Sequence, residues 1–164
     1  MIDNSSYRLY GRTKGRKNKN NNSFSKIRLK EIDKTKYNII DIGAGFGEST
    51  IKLARENKSK IVVCCEKYID GLNSLFNKAQ IEFLNNIYIY QGNVHQMLDE
   101  YCKEESISEI WILFPDPWPK KRHFKRRLIN KFFFDKINKY LKTGGKINLA
   151  SDSKSYISQI LKTI

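Results

Sequence analysis

The chain has 164 residues, enough for one compact domain with a hydrophobic core and too few for two ordinary ones. Its formal net charge of +14 points towards nucleic acid, an anionic membrane surface or an acidic partner. No apolar run approaches the roughly 18–20 residues needed to span a bilayer, and polar, basic Met1–Asn22 lacks the apolar stretch of a secretory signal.

The segment Tyr7–Ser23, YRLYGRTKGRKNKNNNS, is basic, Asn-rich and aperiodic. Residues 1–30 therefore read as an arm, either holding a polyanion or simply solvated, with the folded domain expected over 31–164. From Tyr37 short runs rich in Ile and Val alternate with helix-length segments. The run Tyr37–Ile42 leads into Gly43, Gly45 and Gly47, whose alternate spacing permits a tight turn and close approach of a ligand. A helix is expected over Glu48–Glu56. The run Ile61–Cys65 ends in Glu66, 23 residues after Gly43, where a carboxylate can accept hydrogen bonds from ribose hydroxyls. Next come a helix over Ile69–Phe83, the run Ile87–Tyr90 ending near Asn93, and a helix over His95–Cys102 with His95 as a surface group. The run Ile110–Phe114 delivers Asp116, and a helix follows over Lys125–Leu141. Thr143-Gly144-Gly145 then stops the helix and turns the chain into the run Lys146–Ala150, before a last helix from Lys154 onward. Strand–helix alternation with near-continuous apolar strands predicts an α/β fold: a doubly wound, mostly parallel sheet with helices on both faces.

Cys64, Cys65 and Cys102 show no metal-ligand spacing, and the adjacent pair falls on opposite faces of a strand. All three read as reduced structural cysteines of a cytoplasmic protein, with no metal expected. Nothing in the pattern sets an oligomeric state.

In such sheets ligands bind beyond the carboxyl ends of the strands. The glycine loop reads GxGxG rather than the dinucleotide pattern GxGxxG, with Glu48 where the last glycine would stand; a carboxylate there would repel a pyrophosphate. S-adenosylmethionine carries no phosphate, and its ammonium and sulfonium groups favour a carboxylate such as Asp41. Glu66 then suits its ribose and Asn93 its adenine.

Two prolines, Pro115 and Pro117, restrict the backbone around Asp116, and Trp118 is placed either to stack on a base or to pack. Six cations and a histidine then fall within Lys120–Arg127. Abundant Lys, Asn and Ile are what an AT-rich coding sequence gives regardless of function, but arginine is different: the chain has eight, and three of them are Arg122, Arg126 and Arg127. At the start of a helix, cations oppose the dipole by roughly 0.3–1 kcal/mol each. Their concentration there, at the mouth of a ligand site, predicts an anionic substrate such as a phosphate backbone.

At these residues the sequence resembles the bacterial tRNA (guanine-N7-)-methyltransferases, a family of class I S-adenosylmethionine-dependent enzymes. FPDPWPKKRHFKRR is similar to that family's signature, and DIGAGFGEST, CCEKYIDGLNSL, QGNVHQML and LKTGGKINLASDSKSY follow its other blocks in order. The resemblance implies that Asp41, Glu66, Asn93 and Asp116 line the cofactor site and that Asp116 is also the catalytic carboxylate. It further implies that Lys120 and Asp152 contact the guanosine, and that Arg122, His123, Phe124, Lys125, Arg126 and Arg127 contact RNA. The implied target is the guanine at position 46 of the tRNA variable loop. Asp41 stands where the family usually has glutamate, Asn93 where aspartate is frequent, and Pro119 where histidine is usual. The family continues with two further strands and a Thr-x-x-Glu segment, so a chain ending at Ile164 reads as truncated at its C-terminus. The alternative expectation is a catalytically inactive methyltransferase fold that acts as an RNA-binding protein.

Overall fold

The computed structural model describes Tyr10 and residues 38–164. The expected arm, Tyr10 excepted, and its boundary with the domain lie outside the described residues.

Five strands form one parallel sheet in the order β3-β2-β1-β4-β5. They are β1 (Asn38–Ile42), β2 (Ile61–Glu66), β3 (Ile87–Gln91), β4 (Ile107–Leu113) and β5 (Leu141–Ala150). The helices are α1 (Glu48–Glu56), α2 (Ile69–Ile81), α3 (Val94–Tyr101), α4 (Lys131–Tyr140) and α5 (Lys154–Thr163). β1 lies in register between β2 and β4, with Ile40 opposite both Val63 and Ile110.

The strands divide their side chains by the two-residue period. Ile39, Val62 and Cys64 join Ile51 and Ala54 of α1 and Leu72, Leu75 and Ala79 of α2 in one core. Ile40, Ile42, Val63, Cys65, Ile110 and Ile112 face α3, α4 and α5, represented by Met97, Phe133, Ile137 and Tyr156. The adjacent cysteines thus enter opposite cores, and all three thiols are free and buried. Burial pushes each thiol up from its ordinary value, Cys102 to about 12, which makes them poor nucleophiles. Among the described residues no helix is long and apolar enough to cross a membrane.

The expected helix over Lys125–Leu141 is instead two elements. Lys121–Arg126 forms a 3₁₀ helix, the backbone from Arg127 to Asn130 is extended at both ends, and α4 begins at Lys131. Asn130 sets the break: its side-chain oxygen accepts from Phe133 N–H at 3.0 Å and caps α4. The basic cluster therefore does not occupy the first turn of a long helix, and the dipole penalty expected for it does not arise. β5 also starts earlier than expected. Ile107 pairs with Leu141 but Glu109 with Lys146, so residues 142–145 bulge outward around Gly144 at φ 75°. The Thr143-Gly144-Gly145 turn interrupts β5 rather than preceding it.

His95 is not a surface group. It is 3% exposed, its ring 5.6 Å from both Phe132 and Phe133, and loss of solvent, reinforced by Lys136, pushes its pKa down to about 4. An imidazole that stays neutral when folded but protonates near pH 6.5 when unfolded contributes stability that is complete above pH 6.5. That contribution is lost as pH falls towards 4, to the order of 2–3 kcal/mol. Denaturant titrations at pH 7 and pH 4.5 should show a smaller loss of stability in His95→Leu than in the unaltered chain.

Candidate functional site

The carboxyl ends of β1, β2, β3 and β4 surround a cavity of about 370 Å³, where sheet order reverses between β1 and β4. The β1–α1 loop supplies Gly43, Gly45 and Phe46, and the end of β2 supplies Glu66, Lys67 and Tyr68. β4 contributes Phe114, Pro115, Asp116 and Trp118 through the segment that follows it, and Tyr10 and Arg126 complete the mouth.

Gly43 and Gly45 have φ of 75° and 57°, so their backbone conformation favours glycine although nothing lies within 4 Å of a Cβ built on either. Gly43 N–H donates to Cys65 O at 2.8 Å, tying the loop to the neighbouring strand. Gly47 has a different task. It does not line the cavity, and a Cβ there would sit 2.6 Å from Leu75, so it lets α1 pack on α2. Gly71, which sequence reasoning did not single out, is the closest approach of all: a Cβ would meet Gly45 O at 2.1 Å.

Glu66 is held on three sides. Its Oε2 accepts from Gly45 N–H at 2.9 Å, and its Oε1 accepts from Lys67 N–H and, at 2.9 Å, from Tyr68 N–H. Asp41 lies behind the loop rather than on the cavity. It is 1% exposed, and its Oδ2 accepts from Ser49 Oγ at 2.6 Å and Thr50 Oγ1 at 2.7 Å, both in the first turn of α1. Burial raises its pKa while the two hydroxyls oppose the rise. The expectation that Asp41 faces a cationic ligand directly is therefore corrected to a carboxylate that anchors α1 beneath the glycine loop. Asn93 caps α3, accepting from His95 N–H at 2.9 Å, while its neighbours Gly92 and Val94 line the cavity.

Asp116 is exposed and lines the cavity. The residues two positions to either side are constrained: Phe114 and Trp118 have φ of 49° and 42°, in the left-handed region that bulky side chains rarely adopt. Phe114 N–H is held by Ala150 O at 2.8 Å. Glu48, read as a repulsive neighbour for pyrophosphate, turns outward and pairs with Lys78.

The basic cluster divides. Lys120, Arg122 and Lys125 are exposed, and His123 and Phe124 are half-buried. Partial loss of solvent, then the charges of Arg126, Arg122 and Lys120, holds His123 below its ordinary pKa. Arg126 stacks between Tyr10 and Trp118, its guanidinium 5.1 and 5.0 Å from their ring centres. Arg127 contradicts the expectation of an RNA contact: it is 2% exposed and its guanidinium is taken up by acceptors inside the protein. Lys120 does not line the cavity, and Asp152 opens onto a separate recess of about 430 Å³ with Lys154, Ser158 and Lys162. Among the described residues no group of His, Cys, Asp or Glu is placed to hold a metal ion. What the cavity offers is two carboxylates, Glu66 and Asp116, and two cations, Lys67 and Arg126, among aromatic rings: chemistry suited to a nucleoside that carries charges of both signs.

Residues 35–164 match the family described as "Putative methyltransferase". A tRNA (guanine-N(7)-)-methyltransferase of Neorickettsia sennetsu is 32% identical over 162 residues, covering 95% of this chain and 74% of the relative. One of the same name from Polaromonas sp. is 37% identical over 126 residues, covering 77% of this chain and 51% of the relative. The chain thus spans about half the length of the Polaromonas relative. Among solved structures, the fold is similar to a precorrin-6y C5,15-methyltransferase from Geobacter metallireducens, with TM-score 0.61, 16% identity, and 85% of this chain and 64% of that one covered. It is also similar to a SAM-dependent O-methyltransferase from Thermotoga maritima, with TM-score 0.59, 22% identity, and 82% and 44% covered. The sheet order, the glycine loop with its clamped Glu66 and the match across 35–164 agree: the chain belongs to the family of the tRNA (guanine-N(7)-)-methyltransferases.

Proposed function

We propose that the chain transfers a methyl group from S-adenosylmethionine to N7 of a guanine in tRNA, at position 46 of the variable loop, in the cytoplasm. The observation that carries this reading is the pair of carboxylates, Glu66 and Asp116, delivered by β2 and β4 to one cavity. The names of the relatives support the substrate class.

The residues present fit the cofactor. Gly43 and Gly45 leave open space against the backbone, Glu66 is fixed to accept from ribose hydroxyls, and Gly92 and Val94 border the place for an adenine beside Asn93. Bound S-adenosylmethionine supplies a methyl carbon on a positively charged sulfur. Guanine N7 has a lone pair and no proton to lose, so the chain needs no general base. Its residues orient the reactants and stabilise charge. Asp116, on a backbone restrained by two prolines, holds the base edge and offsets the positive charge that the guanine gains. Phe46, Tyr68, Phe114 and Trp118 present rings that exclude water. Lys120, Arg122, His123, Phe124, Lys125 and Arg126 face the tRNA around the target, and Asp152 contacts the nucleoside from outside the cavity.

In single-turnover assays with unmodified tRNA, Asp116→Asn should lower the transfer rate about a hundredfold and leave tRNA affinity within about twofold. Binding of tRNA with no 7-methylguanosine formed by the unaltered chain would instead favour a non-catalytic RNA-binding protein. Glu66→Gln should weaken S-adenosylmethionine binding in calorimetry by about tenfold or more, the loss expected for a charge-assisted hydrogen bond. Replacing Arg122 and Lys125 together by alanine should flatten the plot of log K against log salt by roughly 1–2 units.

A further inference from the structure

The buried Arg127 has no place in the RNA-binding role that its neighbours share. Four donor contacts fix it: Nε to Pro117 O at 2.7 Å, one terminal nitrogen to Gln159 Oε1 at 2.7 Å and to Ser155 O at 3.4 Å, and the other to Ser155 Oγ at 2.9 Å. Its guanidinium lies 3.7 Å from the ring centre of Phe124 and 4.8 Å from that of Tyr156. All the hydrogen-bond acceptors are neutral. A well-packed apolar side chain would serve burial as well, so what this cation adds is the geometry of its hydrogen bonds.

The acceptor that matters is the carbonyl of Pro117, the residue after Asp116. Phe114 N–H is tied to Ala150 O before the carboxylate, and Arg127 ties the chain after it. Between these two ties Phe114 and Trp118 hold positive φ, a conformation that persists only where the surroundings impose it. Tyr156 braces the same assembly by accepting from Ile129 N–H at 2.9 Å, and Gln159 donates to Ile129 O at 3.2 Å. The Arg127 side chain thereby links α5 to the loop that carries Asp116.

We propose that Arg127 is a positioning residue: it clamps the 115–118 loop to α5 and so sets where the Asp116 carboxylate stands in the cavity. The kinetic consequence rests on the methyl-transfer reading above; the structural consequence does not. ¹⁵N relaxation of the ligand-free chain should show the backbone order parameters of Asp116 and Trp118 falling from about 0.85 towards 0.6 in Arg127→Lys, with β1 unchanged. The transfer rate should fall about 10- to 100-fold, as a misplaced reacting group does, while tRNA affinity and its salt slope stay the same. In an Asp116→Asn background Arg127→Lys should have no further effect on the rate, since the two act as one unit. Should Arg127→Lys fail to fold, Ser155→Ala and Gln159→Ala each remove one acceptor without emptying the core and should give the same change in smaller measure. An unchanged order parameter at Asp116, additive rate losses with Asp116→Asn, or a reduced salt slope would each overturn the proposal. If the unaltered chain methylates no tRNA, the methyl-transfer reading fails by itself, and the order parameters still decide the clamp.

Discussion

Everything at the cavity depends on the burial of β1 between two parallel neighbours. All five of its residues are buried, and it pairs along its length with β2 on one side and β4 on the other. Connections that leave β1 and β4 for opposite faces of the sheet must part at the carboxyl end, and the cleft between them is where a ligand can enter. The pairing fixes the Gly43 loop, Glu66 and the Asp116 loop relative to one another. Backbone bonds from the loops to the strand ends, Gly43 to Cys65 and Gly92 to Glu66, extend that order past the strands themselves.

Charge at the cavity is mixed. Glu66 and Asp116 share its lining with Lys67 and Arg126, while Lys120, Arg122 and Lys125 are exposed around it. Arg126 and Arg127 are adjacent in sequence yet placed differently. Arg126 lies between two rings at the mouth, whereas Arg127 is enclosed by Phe124, Tyr156 and the start of α5.

The fold was largely legible because parallel strands buried on both faces are written as runs of Ile, Val and Cys, and α1 is found over the residues expected for it. β4 starts at Ile107, before the expected Ile110, because Ser108 and Glu109 interrupt the apolar pattern without interrupting the strand. Leu128 and Ile129 look like part of a helical stripe, which hid the extended stretch ahead of α4. At the site, Glu66 and Asp116 were expected at strand ends, and both line the cavity. Asp41 was expected there too, although alternation puts it on the same face as Ile39, and it bonds to Ser49 and Thr50 of α1 instead. The fate of Arg127 could not be read locally, since its partners Ser155 and Gln159 lie 28 and 32 residues away.

The bulge at residues 142–145 bears on the register of the far end of β5. Ile107 faces Leu141 but Glu109 faces Lys146, so the extra residues are taken up in one place, around Gly144 at φ 75°. A slip by one residue would turn Ile147 and Leu149 away from the core they pack against. Ala150 O, at the end of the same strand, therefore stands at a set height for the N–H of Phe114, and an irregularity far from the cavity helps decide where the segment before Asp116 begins.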